Sequence, residues 1–168
     1  MRIMNPGCRT FIVTWLFLIA ALVGGCDGGL SPDLASIDPG FSGTLRIVSD
    51  FPPADSLRDL RVVAFKVYPP KDIVFEVISG RAVFSESLKA ESDIIPYIVQ
   101  QPGIEGIYPY VVVARQYGPD VMNDWHVVGV YTKTNDPKKP DGIVIEPNKV
   151  TEGIDINIDF YNLPPQPF

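Results

Sequence analysis

Oxygen-bearing side chains at alternate positions are the first candidates for chemistry in this chain. In "DINID", Asp155, Asn157 and Asp159 match the opening of a calcium loop, D-x-[DN]-x-[DN]. Such a loop next needs a glycine for its sharp bend and a glutamate at its twelfth position. Phe160 stands at the bend and Gln166 at the twelfth place, so the pattern reads as the solvated face of a strand. Asp120, Asn123 and Asp124 in "YGPDVMND", and Asp136 and Asp141 in "TNDPKKPDG", supply further oxygens. Acidic stretches rich in proline and glycine are also what tight turns are made of. Lys138 and Lys139 add repulsion to any cation in the second loop. No metal and no other cofactor is expected.

His126 is the only histidine, which excludes a zinc site built on two or three of them. A single imidazole cannot be both ligand and base. The chain has no G-x-S-x-G elbow and no G-x-x-x-x-G-K-[ST] loop. Without a nucleophile–base pair, it is not expected to be an enzyme, and no catalytic residue is assigned. Tyr108, Tyr110, Tyr117, Trp125 and Tyr131 cluster in sequence. Aromatic faces beside loop acids and amides hold sugar rings or peptides, although the same residues fill sandwich cores. Tyr117, Trp125 and Tyr131 are the candidate ligand-binding residues.

The N-terminal region carries a different chemistry. The run from Phe11 to Val23 has no charge and follows Arg2 and Arg9. A membrane-crossing helix needs about 20 apolar residues, more than this run contains. A basic start, a short apolar stretch and small residues form the pattern of a secretory signal peptide. Val23-Gly24-Gly25-Cys26 then resembles the lipobox of bacterial lipoproteins. The resemblance implies that residues 1–25 are removed, that Cys26 receives a diacylglycerol thioether, and that the new amino end is acylated. Ordinary secretion with cleavage nearby would instead leave Cys26 as an unpaired thiol. Cys8 is lost with the signal, so one cysteine remains and no internal disulfide is possible. A lone reactive thiol suits an exported protein poorly, whereas two or three acyl chains on that residue anchor stably. Cys26 is therefore the expected lipid anchor, in the bacterial cell envelope. Asp27 resembles the inner-membrane retention signal of enteric bacteria, and the choice between inner and outer membrane is left open.

Removal of Arg2 and Arg9 leaves 12 basic against 20 acidic residues, a net charge of −8. Such a domain repels nucleic acid and gains nothing from anionic headgroups. Residues 26–40, with "DGGLSPDLASIDPG", lack the apolar content to order themselves and read as a lipidated tether.

From Phe41 onward, short apolar blocks are separated by turn residues every 8–15 positions, the spacing of an antiparallel sandwich. "DIVFEVISG" and "GRAVFSESL" flank Ser79-Gly80 as a hairpin would. "IIPYIVQ" carries Pro96 and belongs at a sheet edge. The only helical turn expected is near Ser87–Ser92. In the last strand Ile154, Ile156, Ile158 and Phe160 share one parity and point inward. The fold class expected is all-β: an antiparallel sandwich of seven to nine strands over residues 41–161, with an extended Pro-rich tail at 162–168.

"PGIEGIYPYVVVARQYG", "WHVVGVY" and "IVIEPNKVTEGIDINIDF" together resemble the second half of carboxypeptidase regulatory-like and transthyretin-like domains, and "SGTLRI" resembles their first strand. The resemblance implies a prealbumin-like sandwich serving as an accessory or structural module, with no activity attached. Pro109 stands where these families carry a hydrogen-bonding residue. The hydroxyisourate hydrolases of this group carry several histidines and a Tyr-Arg-Gly-Ser ending, absent here. The Lys–Asn cross-link of related pilin and adhesin sandwiches is not expected, because Lys66 and Asn157 both alternate outward. The expected function is a lipid-anchored, non-catalytic envelope lipoprotein with a structural or protein-interaction role. The alternative is a carbohydrate- or peptide-binding module using the aromatics near Trp125. Its partners are the membrane, through the lipid, and an envelope protein or glycan.

Overall fold

Period-two alternation is realised along most of the chain. The computed structural model describes residues 36–167, so the signal segment and Cys26 lie outside the described residues. Among the described residues, ten short strands and one α-helix follow in order. They are β1 (Gly40–Ile47), β2 (Asp59–Phe65), α1 (Ile73–Ile78), β3 (Ala82–Phe84), β4 (Ile94–Gln100) and β5 (Gly106–Tyr108). Then come β6 (Tyr110–Gln116), β7 (Trp125–Val130), β8 (Ile143–Ile145), β9 (Val150–Thr151) and β10 (Ile156–Ile158). One sheet has the order β10-β1-β4, with β9 also on β1; a second runs β3-β2-β6-β7; β5 and β8 form a separate pair. The architecture is all-β and sandwich-like, and neither main sheet closes on itself.

Most pairings are antiparallel, as expected. The exception is β1, which is antiparallel to β4 but parallel to β9 and β10. Between Phe41↔Thr151 and Leu45↔Ile156 the last segment carries one residue more than β1. Ile154 N–H donates to Ser42 O (3.0 Å) in that gap, and the Asp155 carboxylate replaces a backbone acceptor for Thr44 N–H (2.9 Å).

The core lies between the two main sheets. Phe41, Leu45, Ile95, Tyr97, Ile156 and Ile158 meet Leu60, Val62, Ala64, Val111, Val113 and Val128 there, all buried. The last-strand reading holds: Ile154, Ile156, Ile158 and Phe160 are buried, and Asp155 and Asn157 are exposed. Lys66 is exposed as well, so the two groups of the cross-link chemistry do not face each other inside.

Pro96 sits in β4 at the sheet edge. Ile47 N–H donates to Asp93 O (2.8 Å) and Gln101 N–H to Pro39 O (3.2 Å), which places the odd-numbered backbone groups of β4 against β1. The missing N–H of Pro96 therefore falls on the free edge, where it breaks no ladder bond and blunts edge-to-edge pairing. Pro109 divides the longest apolar run. Residues before it pair with β8, and residues after it join the second sheet.

Two expectations are corrected. "DIVFEVI" is not a hairpin strand but α1. Asp72 caps it by accepting from Phe75 N–H (2.7 Å). Gly80 N–H bonds Val77 O and Arg81 N–H bonds Glu76 O, a Schellman closure for which Gly80 takes φ +70°. The Ser79-Gly80 turn signal was real but ends a helix. Residues 87–92 form no helix; Leu88 N–H instead donates to Leu60 O (2.8 Å), continuing alongside β2.

The open flank of β7 is covered at Val127 by Gln166. The Gln166 side-chain amide accepts from Val127 N–H (2.8 Å) and donates to Val127 O (2.9 Å), as a neighbouring strand residue would. Near it, β7 and β10 approach so closely that a Cβ at Gly129 would stand 2.6 Å from Asn157 O. Gly129→Ala is expected to lower the unfolding free energy by about 1–3 kcal/mol, measured by denaturant titration. A variant as stable as the wild type would show that this junction yields. Gln166→Ala is expected to cost about 1–3 kcal/mol and to speed amide exchange at Val127; unchanged exchange there would separate the tail from the edge.

Candidate interaction site

The three candidate ligand-binding aromatics do not share a surface. Tyr131 is buried in the core between the sheets. Trp125 packs against the apolar cluster on the outer face of the second sheet. Tyr117 stacks on His126, ring centroids 4.2 Å apart. Of the remaining aromatics, Tyr108 and Tyr110 are buried, and burial raises the phenol pKa of each. The proposed anchor, Cys26, lies outside the described residues.

Strands β2, β6 and β7 bury both of their faces. The outer one holds Val63, Phe65, Val112, Ala114 and Val127, which need cover that no strand supplies. Helix α1 supplies part of it through Ile73 and Val77. Its buried Glu76 accepts a 2.6 Å hydrogen bond from Arg81 Nε, and that contact, above all, holds the carboxyl below its ordinary pKa. The Arg81 guanidinium also lies 5.1 Å over the Phe75 ring, and that of Arg61 lies 5.4 Å over Phe84.

Between α1 and Trp125 a groove of about 180 Å³ stays uncovered, with Val63 and Ile73 among its lining. Val74, Val77, Phe84 and Val121 complete its apolar walls, and Arg61 is its one charged member. The Trp125 indole is fixed by a hydrogen bond from Nε1 to Val121 O (2.9 Å). Val121, which accepts that bond and lines the groove, is itself 61% exposed. Apolar surface left uncovered in such a groove is typical of interaction sites. The groove and the helix that walls it were not anticipated, because "DIVFEVI" is rich in β-branched residues. The Asp72 cap and Gly80, eight positions apart, were the available signal.

The acidic loops are built for turning the chain. Asp120 accepts from Met122 N–H and Asn123 Nδ2, both at 2.8 Å, and the Asn123 bond above all lowers its pKa. Asp124 Oδ2 accepts from Asp120 N–H (2.8 Å). Asp136 and Asp141 accept from the backbone N–H groups of Lys138 and Lys133. Asp159 takes those of Tyr161 and Asn162. Among the described residues, no group of three or more His, Cys, Asp or Glu is placed to hold a metal ion. Nor is any described helix long and apolar enough to cross a membrane.

Set against known proteins, the chain matches no family model, no curated protein and no solved structure.

Because the folded-state pKa of Glu76 is depressed, the pair contributes stability above the ordinary carboxylate range and loses it as pH falls through the folded value. Glu76→Gln is expected to cost about 1–2 kcal/mol at pH 7, a modest figure because Arg81 is half exposed. That gap closes as pH falls from the ordinary carboxylate range through the lowered folded value. Parallel stability curves for the two proteins from pH 7 to 3 would show that Glu76 is not an ionised partner of Arg81 in the folded protein.

Proposed function

We propose that this chain is a lipid-anchored, non-catalytic lipoprotein of the bacterial cell envelope. In this reading its prealbumin-like sandwich, akin to carboxypeptidase regulatory-like domains, holds a protein partner in the groove beside Trp125. The observation that carries the interaction role is the uncovered apolar groove between α1 and Trp125, with exposed Val121 in its lining. The partner's chemistry follows from the lining: a segment presenting aliphatic or aromatic side chains, and one polar group toward Arg61. A flat sugar platform is less well supported, because Tyr117, Trp125 and Tyr131 lie in three different environments. The anchor rests on Val23-Gly24-Gly25-Cys26, and the tether from Cys26 meets the domain at the start of β1.

Two measurements on the full chain in a bacterial host test the two halves. Palmitate is incorporated into the wild type and not into Cys26→Ser; equal labelling of both ends the anchor. A photo-cross-linking residue at Val121 captures a discrete envelope protein, one at exposed Val144 does not, and Val74→Lys abolishes the Val121 adduct without changing the melting temperature. Equal capture at both positions, or none at Val121, removes the interaction role.

A further inference from the structure

The inner face of the second sheet, elsewhere lined by Leu, Val and Ala, ends in two basic side chains. Arg115 of β6 and His126 of β7 are directly opposed across the ladder. Their neighbours Ala114 and Val127 belong to the outer cluster, so both point inward, toward the end of the sandwich opposite the start of β1. The Arg115 guanidinium lies 5.7 Å over the Phe160 ring, and the His126 ring is stacked on Tyr117. Arg115 Nε and His126 Nδ1 are both buried, and neither meets a protein partner.

Like charges directly opposed on a sheet destabilise it. Here the conflict is relieved by keeping the imidazole neutral: burial lowers its pKa most, the Arg115 charge lowers it further, and Asp124 opposes both. Asp124 does not reach across to form an ion pair; its carboxylate serves Asp120 N–H. Burial also lowers the pKa of Arg115, while the nearby Tyr161 phenol acts the other way. Arg61 and Arg81 show what this fold does with a structural arginine: each carries a carboxylate at 2.7 or 2.6 Å. Arg115 makes no ion pair with a described residue. A half-buried cation left without its counter-charge is a liability to the fold, and proteins keep such groups where a ligand completes them.

We propose that this end of the sandwich binds a carboxylate, and that the carboxylate belongs to an acidic side chain or C-terminus of a peptide segment. The planar guanidinium takes a carboxylate in a two-pronged pair. Arg115 beside a neutral His126 offers one positive charge, which a monoanion balances. A phosphate dianion would leave excess negative charge in a domain already rich in acids. Tyr117, stacked on His126, and the exposed Tyr161 offer aromatic surface to the stem that carries the carboxylate. The choice of a peptide as the source rests on the protein-interaction reading; the carboxylate itself does not. The groove beside Trp125 lies on the other face of the sheet, so a failed Val121 cross-link leaves the following test intact.

The chain has a single histidine, so imidazole resonances in a labelled full-length sample report His126 alone. At constant ionic strength, a short peptide with one glutamate is expected to raise the His126 pKa saturably by about one pH unit, as an approaching anion favours imidazolium. The same peptide with glutamine leaves it in place, and Arg115→Gln abolishes the response. No saturable rise, an equal rise in Arg115→Gln, or an equal rise with glucuronate or inorganic phosphate would overturn the proposal. Arg115→Met supplies a second readout that needs no ligand. Its melting temperature is expected to match or exceed that of the wild type, whereas a fall of several degrees would assign Arg115 to packing over Phe160.

Discussion

Everything in this domain depends on two sheets burying one parity of each strand against the other. Phe41, Leu45 and Ile47 of β1 face Val111 and Val113 of β6 and Val128 of β7 within one continuous cluster. A slip of one residue in any of these strands would exchange buried for exposed side chains along its whole length. The irregularities are therefore confined to places where parity must be reset. One is the bulge between Val113 and Ala114. The other is the extra residue between β9 and β10, where Asp155 lends a side-chain oxygen to the backbone of Thr44. Both leave the inward set intact on either side.

A second constraint follows from the first. Because β2, β6 and β7 are apolar on both faces, satisfying the inner core leaves an outer face still to be covered. Helix α1 is the response, and at six residues it is too short to cover all of it. Isolated helices of that length do not persist in water. This one relies on its Asp72 cap, the Gly80 closure, the Glu76–Arg81 pair and the burial of Ile73. The groove beside Trp125 is what remains when a short helix lies on a wide apolar surface. The interaction role proposed for it is thus linked to the same packing requirement that recruits the helix.

Legibility in the sequence tracked how local each cause was. The last strand was readable because Ile154, Ile156, Ile158 and Phe160 encode their burial by spacing alone. The edge position of "IIPYIVQ" was readable because proline removes a donor wherever it falls. The helix was not, since "DIVFEVI" has the β-branched content of a strand and its helical state is decided by the capping groups and the sheet beneath. The parallel pairing of β1 with β9 and β10 was equally hidden, because register with a distant segment leaves no local mark. The aromatic cluster misled for a related reason: neighbours in sequence at Tyr117, Trp125 and Tyr131 are sent to separate environments by strand parity and the β6–β7 turn. Arg115 carried a visible signal, one cation at the end of "YVVVA", but its significance depends on His126 across the ladder.

The contrast between Glu76 and Arg115 sharpens the distinction between charges that build this fold and charges that the fold carries. Glu76 is nearly as buried as any core residue, 2% exposed, yet its carboxylate has a guanidinium at 2.6 Å and its helix ends on backbone bonds around the same pair. Removing Arg81 would strand the Glu76 carboxylate in a low-dielectric site, so that pair is structural. Arg115 is less buried and has only an aromatic face for company. Its substitution by an apolar side chain would strand nothing, because no acid depends on it. A charge whose loss leaves no partner unsatisfied is not explained by folding. The reason for its place at the end of β6 lies with what arrives from outside.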